Sequence, residues 1–275
     1  MCYYHFVFIK NGLKEDYMFK KDAEKEFLKS YDSSVFEKLS VATDLLIFSI
    51  SDVKTDNYRK LPEKIMSVFL TNRDQFPFKD AWSLAGGFVQ PKESLEETVS
   101  RVLKEKVHAD DLYVEQLYTF GNVNRDPRTR IISVSYMALV ERSDLPIGLQ
   151  QSDSWFNILK ENGKLILQNE NNPDLKLDLS VENALAFDHA SIIKVGLDRL
   201  KNKIEYTDLA FHLVPDEFTL TELQNVYEAI LGKKLLAPAF RRVMKSRVEP
   251  TGKTTSGSGH RPSVLFKYKP TQETI

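Results

Sequence analysis

Between residues 13 and 40 the apolar positions are sparse in a highly charged stretch, with Phe27, Leu28, Tyr31 and Phe36 as scattered anchors, and the pattern predicts helix. Leu45 to Ile50 is a continuous apolar run edged by Asp44 and Asp52, which suits a buried strand. Ile65 to Leu70, Tyr113 to Phe120 and Ile131 to Val140 are further strand candidates, the last two separated by a polar, arginine-rich loop. Leu165 to Gln168 and Leu175 to Leu179 flank a turn signal over Asn171, Asn172, Pro173 and Asp174, and so predict a hairpin.

From Asp188, placed as an N-cap, the pattern turns helical. Ile192, Ile193, Gly196, Leu197 and Leu200 make one apolar stripe, and Thr219 with Glu222 forms a capping box that opens a helix over Leu220 to Leu231, closed by Gly232. Pro238 suits the first turn of the next helix, Pro238 to Arg247, which carries Phe240, Val243 and Met244 on one face and Arg241, Arg242 and Lys245 on the other. Strands follow near Val248 and from Ser263 to Tyr268, with the glycine- and serine-rich stretch 251–259 as the loop between them. Helix, turn, basic helix and basic hairpin is the order of a winged helix-turn-helix.

Charge adds an asymmetry that the net value of −1 conceals. The segment 232–269 holds ten Lys/Arg against the one acid Glu249, so it stands at +9 and the remainder at −10. A basic end on an acidic body points to a polyanion partner or to a solvated tail. A lone cysteine, Cys2, excludes an internal disulfide framework and a cysteine-based zinc site, and fits a reducing cytosol. The apolar run Tyr3 to Ile9 is too short to span a bilayer and no cleavage pattern follows it, so a cytoplasmic location is expected.

The most specific signal lies between Trp82 and Val107. Gly87 is followed after five residues by Glu93, and after seven more by Arg101, on an amphipathic stretch ending near Glu105. This spacing resembles the Nudix box, a glycine, five residues, a glutamate, seven residues, then Arg-Glu-apolar-any-Glu-Glu-any-Gly. The resemblance implies a mixed-sheet α/β/α sandwich. In an intact box, glutamates on successive helical turns supply oxygens to Mg²⁺, which activates water and neutralises a diphosphate. Here Val102 and Lys106 stand where two of the helix glutamates belong, and His108 where the glycine belongs. Tight Mg²⁺ binding is therefore not expected and no required cofactor is expected, with Mg²⁺ reserved for the case in which hydrolase activity is retained. Leu95, Val99, Val102 and Leu103 also read as the core stripe of the helix. Lys106 is a candidate to replace the cation as a fixed point charge on the diphosphate.

Residues 121–130 place Arg125, Arg128 and Arg130 near a strand end, as phosphate forks or as a solvated hairpin loop. With the preceding Gln116 to Gly121, the loop resembles Nudix proteins that handle ADP-ribose. Trp82 and Phe88 read as packing residues. Phe27 to Leu46, Trp82 to Leu103, Gln116 to Leu139, Leu185 to Ala190, Glu205 to Thr207, Phe218 to Gly232 and Phe240 to Arg242 are together similar to the Nudix-related transcriptional regulators, a Nudix domain fused to a C-terminal winged helix.

That resemblance implies an α/β (α+β) chain with an extension over 1–40, a Nudix-like domain over 41–187 and a winged helix-turn-helix over 188–275. It implies an ADP-ribose-like effector held by Gly86, Gly87, Arg101, Lys106, Arg125, Arg128 and Arg130. It also implies operator DNA contacted by Arg241, Arg242, Lys245, Lys253 and, in the wing, Arg261, by a homodimer on spaced half-sites. A protein-binding winged helix is the other reading of that end. The alternative function is an active ADP-ribose pyrophosphatase with Mg²⁺ on Glu93, Glu97 and Glu105.

Overall fold

The computed structural model describes residues 21–52, 63–109, 112–255 and 262–270. The chain divides into two compact units, 1–39 and 40–275. In the first, residues 21–30 form helix α1 and Ser33–Val35 a single 3-10 turn, capped by the Asp32 side chain, which accepts from the Ser34 amide at 2.8 Å. The helix expected to run to residue 40 thus stops ten residues earlier. Tyr31 stacks on Phe36 and touches Phe27, so the expected anchors meet one another.

In the second unit a mixed sheet forms from β1 (Ser40–Asp52), β2 (Lys64–Phe69), β5 (Ala85–Phe88), β6 (Tyr113–Phe120), β7 (Ile131–Leu139), β8 (Trp155–Glu161), β9 (Lys164–Asn169) and β10 (Lys176–Asp178). A two-stranded ribbon of β3 (Thr71–Asn72) and β4 (Trp82–Ser83) sits beside it in sequence. The order is β10-β9-β8-β2-β1-β7-β6, with β5 also paired to β1. β1 runs parallel to β7 and antiparallel to β2 and β5. The strand candidates of the sequence are all present. β8 was not foreseen, nor was β5, whose two glycines mask its pairing.

β1 explains the continuous apolar run. Leu45 and Ile47 enter one core with Val99, Val102, Leu103 and Val107 of α2 (Leu95–Val107). Leu46 and Phe48, one pleat out of phase, enter the other. A strand covered on both faces has no polar side to alternate with. The second face is covered by α4 (His189–Lys203), and the same apolar cluster continues without a break through α5 (Leu220–Leu231) to Phe240 and Met244 of α6 (Ala237–Met244). α3 (Ile147–Gln150) is a single turn at the edge.

Capping fixes these helices locally. Ser94 and Glu97 bracket the start of α2 and Thr219 and Glu222 that of α5, each pair a reciprocal box, and Gly232 closes α5 at a φ of 66° that glycine adopts freely. Asp188 differs from expectation: its side chain makes no cap bond to α4, because it is drawn to a guanidinium instead. α6 ends at Met244, three residues short of the predicted Arg247, and Val243 is 55% exposed where a core position was expected. β11 (Val248–Thr254) extends into the stretch read as a loop and pairs with β12 (Val264–Tyr268) as the wing. Phe218 bonds to Phe266 in both directions and ties the wing to the start of α5. No described helix is long and apolar enough to cross a membrane.

Gly196 is the close-approach point of α4 on the sheet. A Cβ there would lie 2.0 Å from Leu46 Cδ2 and 3.4 Å from a Phe48 ring carbon. Gly196→Val brings that clash without the helix-propensity gain of alanine, so it is expected to lower unfolding free energy by about 1–3 kcal/mol. The check is the urea midpoint at unchanged slope; a midpoint equal to wild type would show that α4 does not pack here.

Candidate functional site

A cleft of about 190 Å³ opens where β1, β5, the 121–130 loop and the start of α4 meet. Its lining includes Asp44, Arg73, Gly86, Gly87, Phe88, Arg125, Asp126, Arg128, Phe187 and His189. Gly86 permits β5 to approach β1, since a Cβ would meet the Thr43 carbonyl at 2.7 Å and an Asp44 carboxylate oxygen at 2.8 Å.

Arg125 is buried, and its guanidinium donates to Asp44 at 2.9 Å and to both oxygens of Asp188 at 2.7 and 3.0 Å. Asp44 also accepts from the Ser133 hydroxyl at 2.6 Å. Burial alone would push the Asp44 carboxyl up, but His189, Arg125 and Ser133 hold it far below the usual carboxylate range. His189 Nδ1 accepts from the Leu84 amide at 2.9 Å, which leaves Nε2 as the protonated nitrogen facing Asp44 at 3.4 Å. Asp44, Asp188 and His189 make the one group of three potential metal ligands among the described residues, and Arg125 already bonds both carboxylates.

Arg128 forks onto Asp126 at 3.0 and 2.8 Å, with its guanidinium 5.4 Å from the Phe88 ring and 5.7 Å from that of Phe187. Phe88 is 45% exposed at the cleft mouth, so the reading of it as a packing residue is corrected. Trp82 does pack, edge-on against Phe156. Arg73, absent from the sequence reading, rests 4.8 Å from the Phe187 ring and donates to the Pro77 carbonyl at 3.0 Å. It makes no carboxylate ion pair among the described residues. Burial and the neighbouring charge of Arg128 lower its pKa. Nothing in the sequence near Arg73 marked it, because it joins the cleft through the short β3–β4 ribbon rather than through a motif.

The box helix is committed elsewhere. Both Glu93 oxygens receive Arg101, at 2.8 and 3.0 Å, and the Thr98 hydroxyl adds a third bond at 3.0 Å. Arg101 first, then Thr98, hold the Glu93 carboxyl down at about 2. Arg101 also donates to the Phe88 carbonyl at 3.0 Å and lies 3.6 Å from Glu105, pinning α2 to the end of β5. Glu97 accepts from the Ser94 amide in its capping box. Val102 is buried, and a Cβ on Gly87 would stand 3.1 Å from its Cγ2. Glu93 and Glu105 both face the Arg101 guanidinium, and none of Glu93, Glu97 and Glu105 belongs to a group of three potential metal ligands among the described residues, so as arranged they do not present the oxygen set that Mg²⁺ takes.

Of the residues assigned to the ligand from sequence, the cleft gathers Gly86, Gly87, Arg125 and Arg128. Arg101, Lys106 and Arg130 do not line it; Lys106 is exposed, and Arg130 donates to the Asn122 carbonyl at 2.8 Å. On α6 and its C-cap, Arg241, Arg242 and Lys245 are exposed and form no ion pair among the described residues. Lys253 on the wing pairs with Glu217 at 2.8 Å. Arg261 lies outside the described residues.

Comparison with known proteins agrees with this geometry. The NUDIX domain family matches residues 59–172, and the NrtR DNA-binding winged helix domain matches 210–268. The chain is 34% identical to the ADPR responsive transcriptional repressor NtrR of Acinetobacter baylyi, over 90% of this chain and 88% of that protein. It is 30% identical over 132 residues to an ADP-ribose pyrophosphatase of Methanocaldococcus jannaschii, covering 48% of this chain and 66% of that one. The crystal structure of Shewanella oneidensis NrtR complexed with a 27mer DNA superposes with a TM-score of 0.62 at 30% identity, covering 83% and 93% of the two chains. A MutT/nudix family protein from Enterococcus faecalis gives 0.67 at 27%, covering 91% and 99%. Fold and site thus define a Nudix domain joined to a winged helix. The chain belongs to the NrtR family of Nudix-related transcriptional regulators.

Two measurements probe the buried pair. Arg125→Gln leaves Asp44 without its cation and is expected to cost about 3–5 kcal/mol of stability. An unfolding midpoint within error of wild type would show that the pair is dispensable. Because the folded Asp44 carboxyl titrates below its unfolded value of about 4, its contribution is complete above that pH and is lost as pH falls below it. Urea midpoints should therefore drop between about pH 4 and pH 2.5, and Asp44→Asn should flatten part of that drop. A flat wild-type profile would contradict the assignment.

Proposed function

We propose that this chain is a nucleotide-sugar-responsive transcriptional repressor, in which the arginine-lined cleft binds an ADP-ribose-like effector and the winged helix binds operator DNA as a homodimer in the cytoplasm. The observation that carries this reading is one apolar core running from the cleft strands through α4 and α5 to α6. A cleft for an anionic ligand and a helix that, with its C-cap, carries three cations unpaired among the described residues thereby share one packed body. Two structural alternatives to coupling would be a flexible tether or separate cores, and the shared core supports neither.

The box favours binding over cleavage. Val102 serves the core and Glu93 serves Arg101, so the helix holds shape rather than metal. The second reading, Mg²⁺-dependent hydrolysis of ADP-ribose using Glu93, Glu97 and Glu105, is favoured by the likeness to the M. jannaschii pyrophosphatase. Two assays separate them. Full-length chain, ADP-ribose and Mg²⁺ are expected to yield no AMP at enzyme-like turnover, while ADP-ribose alters retardation of DNA from around its own gene. Rapid AMP release with no retardation at low salt would reverse the assignment.

The paired state of Lys253 also revises the salt dependence. Five phosphate contacts would give a log–log slope of about −4 to −5 per winged helix. With Lys253 set aside, Arg241, Arg242, Lys245 and Arg261 remain of the five, and the expected slope is about −3.6, falling by about 1 in magnitude for each of Arg241→Gln and Arg242→Gln. Slopes unchanged in both variants would remove α6 from the DNA interface.

A further inference from the structure

We propose that Arg73 and Arg128, which share the Phe187 ring, are the pair that grips the effector's diphosphate, and that Phe187 passes its arrival to helix α4. The proposal rests on the reading of the cleft as a nucleoside-diphosphate site.

The charges of the cleft single out this pair. Arg125 faces the same space, but Asp44 and Asp188 already bond it, and withdrawing it would strand two carboxylates. Arg101 is bonded to Glu93 and Arg130 to a carbonyl, and neither lines the cleft. Arg128 shares one carboxylate, Asp126, and is itself 42% exposed. Arg73 has no carboxylate partner among the described residues. Two guanidinium groups 4.8 and 5.7 Å from one ring centroid repel each other, and burial of Arg73 sharpens the repulsion. A dianion placed between them removes that repulsion and finds two planar forks matched to phosphate oxygens. The exposed Phe88 beside Arg128 adds an aromatic face at the same mouth.

The ring the pair shares stands at a leverage point. Phe187 has a φ of 54°, in the left-handed region that a bulky side chain rarely adopts, and its ring meets Phe78, at φ 59°, edge-on at 4.9 Å. Phe187 directly precedes Asp188, held by Arg125, and His189, held by the Leu84 amide. His189 opens α4, whose other turns pack on the sheet and against α5 of the winged helix. Any shift of Phe187 as the arginines close on a ligand is delivered to the first turn of the helix that joins the two halves. The strained backbone persists only while its surroundings over-determine it, which suits an element with two arrangements.

The test uses the full-length chain with ADP-ribose, ADP, UDP-glucose and adenosine as calorimetric probes, and DNA from around its own gene as the retardation probe. Arg73→Gln and Arg128→Gln are each expected to weaken ADP-ribose and ADP by at least about tenfold, as loss of a charge-assisted fork predicts. Both should leave adenosine binding and ligand-free DNA retardation at wild-type levels. Phe187→Gly, in which glycine accepts the φ without strain, also removes the ring under both guanidinium groups, so it is compared at ADP-ribose concentrations that saturate the variant by calorimetry, where ADP-ribose should no longer change retardation. Arg73→Lys keeps the charge and provides a second variant should Arg73→Gln fail to fold, with a smaller loss expected. ADP-ribose affinity at wild-type level in the glutamine variants, or a wild-type DNA response in Phe187→Gly, overturns the proposal. If wild type ignores ADP-ribose yet binds ADP or UDP-glucose, and Arg73→Gln loses that binding, the clamp stands and the effector reading falls. If wild type binds none of the diphosphates, both fall.

Discussion

The Arg125 guanidinium, bonded to Asp44 and Asp188, is the interaction around which the rest is arranged. Asp44 belongs to the central strand and Asp188 to the residue that introduces α4, so one buried cation fastens the sheet to the helix leading toward the DNA-binding half. Burying Arg125 and Asp44, with Asp188 half-buried beside them, is expensive unless each charge is paired and hydrogen-bonded. Ser133 and His189 complete that pairing around Asp44. The cleft therefore forms beside a rigid floor, and its variable charge lies at the rim.

A box that has lost two helix carboxylates is better described as converted to structure than as damaged. Val102 fills the space against Gly87 that an oxygen would have left polar, and Arg101 turns Glu93 into a brace between α2 and β5. The same residues that would frame a metal in a hydrolase here stiffen one wall of the domain. On the proposed function, binding energy in the cleft goes to a change of state in the chain rather than to bond cleavage.

The core is continuous between the cleft strands and the winged helix. α4 lies against Leu46 and Phe48 through Gly196, and its cluster reaches Tyr227, Phe240 and Met244 without a polar break. Packed interiors resist gradual deformation, so a displacement at one end of α4 moves the helix as a body. The exposed cations of α6 sit at the far end of the same cluster.

Much of this was legible in the residues. The run Leu45 to Ile50, the capping boxes at Ser94 and Thr219, the terminal Gly232 and the Nudix spacing depend on neighbours within a few positions, and local sequence determines them. Gly86, Gly87, Arg125 and Arg128 line the cleft because a motif or a charged loop carries them there. What only the tertiary structure decided is which charges remain free. Asp44 and Asp188 lie 81 and 63 positions from Arg125 and are brought to it by strand order and helix docking. Arg73 enters through a two-residue strand, and Lys106 stays exposed outside the cleft although helical periodicity put it near Val102. Periodicity assigns a residue to a face, but whether its charge is spent or available depends on partners distant in sequence.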